Sequence, residues 1–272
     1  MSDDAAALLA RRPGRPRPPR RPPAPPLTVL FTGHAGRRLA LGRELYCAVP
    51  AFRSAYDAVR DALDPWLRLP LAAVVFAPEG GVDSGLIRRA EFAQPALFAF
   101  QVAVYRLWQS WGLRADAVAG QGAGELSAAH VAGVLTLADA ARLVAALGRL
   151  VPPRPAPGAA RAAEAEFLKA ARESATAPRS VHLVCTATGR PIGPGRDERP
   201  LRPERLLLQT HQVIRTADAV RTLETAGFTR PHPCGPDPED TLPGCELRAA
   251  RAVLLHIEGP ERTEGRAAGR HR

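Results

Sequence analysis

Proline divides this chain before anything else does. Eight of its 28 prolines fall within residues 1–26, and others crowd residues 151–160 and 230–244. Proline fixes φ and removes a backbone donor, so such stretches cannot carry regular helix or interior strand. Residues 1–26 are therefore expected to form an extended, disordered tail, and 151–160 a second linker. Folded structure is expected over 27–150 and again over 161–247, followed by a disordered basic tail at 248–272.

Charge follows the same division. The chain of 272 residues carries +10, with 37 basic and 27 acidic side chains, and Lys169 is its single lysine. Residues 1–26 contribute six Arg against two Asp, and residues 248–272 six Arg against three Glu. The excess sits in tails rather than on a folded face, which argues against nucleic acid as a partner. No apolar run is long enough to span a membrane, and the Arg-rich start continues into proline rather than an apolar core. A cytoplasmic protein is the expectation. Four cysteines (Cys47, Cys185, Cys234, Cys245) are widely spaced and form no metal-site pattern, so they read as idle thiols, with no metal expected.

Between the prolines the pattern is that of an α/β protein. Leu27–Phe31 is an apolar run closed by Gly33 and predicts a buried strand. Helical spacing covers Arg43–Tyr46 and Ala51–Leu63. The longest helical signal runs from Pro95, placed in a first turn, to Trp111. Ala117–Ala119 predicts a short strand, Gly120–Gly124 a tight turn, and 125–134 and 137–150 two helices. Further on, 162–172 reads as helix, His182–Cys185 as strand and 216–226 as helix. The two prolines around His232 are expected to spoil a strand there.

Three blocks of residues in this order resemble one family. They are ValLeuPheThrGly with LeuGlyArgGluLeuTyr (29–46), the stretch 93–150 containing AlaGlnProAlaLeuPheAla and GlyGlnGlyAlaGlyGluLeuSer, and ThrAlaThrGlyArgProIle (186–192) with AlaAspAlaValArgThrLeu (217–223). Together they resemble the acyltransferase domain of modular polyketide synthases, related to malonyl-CoA:acyl-carrier-protein transacylases. The fold so implied is a hydrolase-like parallel-sheet core with a strand-turn-helix elbow and an inserted ferredoxin-like small subdomain. The chemistry implied is acyl transfer from malonyl-CoA or methylmalonyl-CoA, without cofactor, to an acyl carrier protein.

Set against that family, the site residues depart one by one. The elbow reads Gly120-Gln121-Gly122-Ala123-Gly124. Gly122 occupies the nucleophile position, and Gln121 replaces the preceding His. Leu147 stands where the carboxylate-binding Arg is expected; Arg149, two positions on, lies about 200° around a helix. The chain passes from Val151 through prolines into a helix, so the small subdomain and the catalytic His it returns are missing. His130 reads as structural. The loop Gly33-His34-Ala35-Gly36-Arg37 departs from the family's GlyGlnGly-x-Gln, and Arg205-Leu206 replaces a Tyr-Trp pair. The resemblance with these losses implies a degenerate acyltransferase unable to transfer malonyl-type groups, with no catalytic or substrate-binding residue intact. Acyl carrier protein or other synthase components remain the implied partners. Loss of a lid implies exposed cleft wall and self-association. Two alternatives stay open: transfer by another nucleophile (Cys47, Cys185 or Cys234), and a carrier-protein docking module.

Overall fold

The computed structural model describes residues 26–33, 40–150, 157–174, 181–186, 190–191, 216–228 and 231–235. The tails, 34–39, 151–156, Arg205-Leu206 and Cys245 lie outside the described residues.

Five strands form one sheet in the order β4-β3-β2-β1-β5. They are β1 (Thr28–Phe31), β2 (Ala117–Gly120), β3 (His182–Cys185), β4 (Arg190–Pro191) and β5 (His232–Cys234). β1 pairs in parallel with β2 and β5, and β2 with β3, while β4 is antiparallel to β3. The register sets Val29 beside Val118 and Val118 beside Leu183. Because side chains alternate, Leu30, Ala119 and Val184 point to the opposite face. Both faces are covered, as a parallel sheet requires.

The helices are α1 (Arg43–Ala48), α2 (Pro50–Leu63), α3 (Leu71–Val75), α4 (Ala90–Ser110), α5 (Ala123–Val131), α6 (Leu137–Leu150), α7 (Pro157–Glu173) and α8 (Thr216–Thr225). The main core joins Val29, Phe31, Val118 and Leu183 to α2, α4, α5 and α6. A smaller cluster sets Ala219 and Leu223 of α8 against Ala117, Ala119 and Val184 on the other face. Central α4 is buried on nearly every side, through Phe92, Leu97, Phe98, Val102, Leu107 and Trp108 among others.

Three expectations need correction. Pro95 is not in a first turn: α4 begins five residues earlier, where the Arg89 carbonyl accepts from the Phe92 and Ala93 N–H groups. Pro95 then costs one interior backbone bond, which the burial of α4 outweighs. α7 begins at Pro157, inside the segment read as a linker, with proline at the helix position where a donor is not needed. β5 forms despite Pro233, because among the described residues it is the sheet edge and pairs on one side only.

Candidate active site

β2 ends at Gly120, the chain turns through Gln121 and Gly122, and α5 starts at Ala123. Gly122 has φ 53° and ψ −123°, a region that L side chains avoid and that nucleophile elbows impose. The turn closes on itself: Gly124 N–H donates to the Gln121 carbonyl (2.8 Å) and Glu125 N–H to the Gly122 carbonyl (3.1 Å). Gln121 N–H donates to the Phe31 carbonyl at 2.9 Å, tying the elbow to β1.

The glycines on either side are there for space. A Cβ on Gly120 would fall inside the contact distance of the Gly124 carbonyl and 2.5 Å from the Glu125 Cα. A Cβ on Gly124 would run into the carbonyl of Phe31, 2.8 Å from its carbon. A Cβ on Gly33 would likewise lie 2.7 Å from the Gln121 carbonyl oxygen. Gly122 differs: the nearest neighbour of a Cβ there would be the Gly33 Cα at 3.9 Å, an ordinary van der Waals contact. A side chain at 122 therefore fits sterically, and only its backbone conformation resists it.

Position 122 thus has an elbow's backbone and no nucleophilic atom. Leu147 is buried in the apolar core of α6. Arg149 turns the other way, donating from Nη2 to Glu166 (2.6 Å) and from Nη1 to the Trp66 carbonyl (3.0 Å). It is engaged elsewhere, as its helical phase requires.

His130 closes the turn after α5. Its Nδ1 lies 3.1 Å from the Leu135 carbonyl and its Nε2 3.4 Å from Arg106 Nη2. A carbonyl can only accept and a guanidinium only donate, which fixes the proton on Nδ1. Burial, with Arg106 adding to it, pushes the His130 pKa below the ordinary histidine value. Eight residues of helix separate it from Gly122, about 12 Å of rise. It is structural.

Of the three described thiols, Cys185 and Cys234 are buried at strand ends, Cys185 in register with Gly120 of the elbow, and Cys47 is exposed on α1. Burial pushes the Cys234 thiol far above its ordinary pKa, and it donates to the Gln101 carbonyl at 3.6 Å. Iodoacetamide under native conditions is expected to modify Cys47 and to spare Cys185 and Cys234 until denaturant is added, as peptide mapping would read. No group of three or more metal-ligating side chains occurs among the described residues, and no described helix is long and apolar enough to cross a membrane.

Sequence reasoning missed the polar knot beneath the elbow. Fully buried Gln101 of α4 donates from Nε2 to the carbonyls of Thr32 (2.7 Å) and Cys234 (3.0 Å). Ser127 of α5 donates to its Oε1 at 2.7 Å. One side chain therefore joins α4, α5, the end of β1 and edge strand β5. The signal available was a lone amide in an otherwise apolar run, PheAlaPheGlnValAlaVal. Gln101→Leu strands the buried Ser127 hydroxyl and the half-buried Thr32 carbonyl, leaves the Cys234 carbonyl only its bond from the Thr32 N–H, and is expected to cost about 2–3 kcal/mol, measured by denaturant midpoint.

The expected exposed cleft wall is not seen among the described residues. Trp66 is their one exposed large hydrophobic side chain, at 42%. The described helices and sheet cover the rest, so no broad apolar patch there supports self-association.

Residues 28–193 match the family described as the acyl transferase domain. The chain is 52% identical over 143 residues to the phenolphthiocerol synthesis polyketide synthase type I Pks15/1 of Mycobacterium marinum, covering 52% of this chain and 7% of that one. It is 49% identical over 143 residues to polyketide synthase GfsA of Streptomyces halstedii, covering 53% of this chain and 2% of that one. The chain thus spans less than a tenth of these relatives. Among solved structures, the acyltransferase domain from the second module of the salinomycin polyketide synthase superposes with a TM-score of 0.66 at 27% identity, covering 87% of this chain and 67% of that one. FabD from Acinetobacter baumannii, at 19% identity and TM-score 0.66, shares the fold.

Proposed function

Because this chain belongs to the acyl transferase domain family, we propose that it is a polyketide-synthase-type acyltransferase domain without the family's chemistry. On this reading it does not move malonyl-type groups from CoA to an acyl carrier protein. One observation carries it: the elbow keeps its strained turn and its close-packed glycines, while the residue at its apex, Gly122, has no side chain. Covalent transfer needs an oxygen or sulfur at that apex, and a base to deprotonate it. Leu147 in the core leaves no guanidinium for a malonyl carboxylate at the position the resemblance assigns to one. The short connection from α6 to α7, residues 151–156, leaves no room for an inserted subdomain that would bring a base.

The partner class that fits this reading is an acyl carrier protein or another component of a polyketide synthase. A role retained without turnover would be structural, through binding. The test is a carrier-protein loading assay with malonyl-CoA and methylmalonyl-CoA, run beside an active domain of the same family. The reading expects carrier loading no faster than the reaction without enzyme. Loading above that background, with the cysteines of this chain blocked beforehand or left free, would sink it.

A further inference from the structure

Two arginines of α6 meet two glutamates of α7. Arg142 Nη2 lies 2.6 Å from Glu173 Oε2, and Arg149 Nη2 lies 2.6 Å from Glu166 Oε1. The arginines are seven residues apart, and so are the glutamates in the opposite sense. The two helices are therefore antiparallel and in register through both pairs. Each arginine also reaches the short 3-10 turn Asp64–Trp66: the Arg142 guanidinium stands 5.5 Å from the centre of the Trp66 ring, and Arg149 Nη1 donates to the Trp66 carbonyl.

The apolar hold on α7 is thin by comparison. Of its described side chains only Phe167 and Ala170 are buried, while Glu164, Glu166, Lys169 and Glu173 are exposed. Lys169 sits 4.0 Å from Glu173 and adds a weak contact within the helix. Ion pairs on a surface are screened by salt; apolar burial is not.

We propose that α7 is a strap clasped to α6 by the Arg142–Glu173 and Arg149–Glu166 pairs, which opens as a unit, ahead of the core, when those pairs are screened or cut. Opening would bare the side of α6 that α7 now covers.

Hydrogen exchange on the full chain, read peptide by peptide, tests this. Raising NaCl from 0.05 M to 1 M is expected to speed exchange across 157–173 about tenfold and to leave α4 unchanged. Arg142→Glu with Arg149→Glu should do the same at low salt, since two attractions become two repulsions. Restoring the pairs through Glu166→Arg and Glu173→Arg should return protection to within about threefold of the native chain, a rescue that simple loss of packing would not give. Arg161→Gln, on an exposed part of the same helix, should change nothing. Salt-insensitive exchange in 157–173, α4 loosening in parallel with α7, or failure of the exchanged pairs to restore protection would each overturn the proposal.

Discussion

Incubation with malonyl-CoA or methylmalonyl-CoA is expected to leave the intact mass of the chain unchanged, and Gly122→Ser is expected not to restore transfer. Removing the nucleophile of a serine-dependent acyl-transfer site costs roughly a millionfold in turnover, which puts any remaining reaction below detection. Restoring the hydroxyl alone supplies one part of the apparatus. A Cβ at 122 would meet nothing closer than the Gly33 Cα, at 3.9 Å. No described imidazole stands within reach to take its proton, and Leu147 offers nothing to a carboxylate. Serine would also have to adopt φ 53°, at a cost of about 1–3 kcal/mol. The variant should therefore melt several degrees below the native chain while remaining as inert. Mass spectrometry and a thermal scan read the two halves of this prediction. An acyl adduct on the native chain after all four cysteines are blocked would refute the first half. A variant as stable as the native chain would refute the second.

A large loss of stability should come from Gly124→Ala. The added methyl would strike the Phe31 carbonyl and lie close to the Thr32 oxygen, 2.9 Å away. Both belong to backbone that is itself fixed, Phe31 by β2 and β5 and Thr32 by Gln101. Neither side can yield without breaking sheet or buried amide bonds, so the expected loss is about 4 kcal/mol or more, enough to leave little soluble protein. Gly158→Ala on exposed α7, where nothing lies within 4 Å of the added atom, is the control. It should stabilise by about 0.5–1 kcal/mol. Equal effects of the two substitutions on the urea midpoint would contradict the steric account of the elbow.

The elbow was the most legible part of the molecule. Its strand, turn and helix are local in sequence, and its glycines announce a backbone that side chains would obstruct. The first strand and the helices at 51–63 and 137–150 were readable from period alone. Helix ends were not. Pro95 looks like a start signal because proline prefers first turns, yet burial of α4 on several sides carried the helix back to Ala90. Pro233 looks like a strand breaker until one knows that, among the described residues, β5 has a neighbour on one side only. Edge position is a property of the whole sheet and has no local trace. The Gln101 knot and the Arg142 and Arg149 clasps join residues 17 to 133 positions apart, and no spacing rule reaches that far.

The contrast among the elbow glycines has a consequence for how such a domain can lose its activity. Positions 120 and 124 are constrained by geometry and position 122 by chemistry. Exchanging serine for glycine at 122 removes the reaction and relieves the backbone in one step, so the most damaging change to catalysis is among the gentlest to the fold. A chain on that path loses turnover first and foldedness last. What survives is a well-formed scaffold whose surface, rather than its cleft, is all that remains for binding partners to act on.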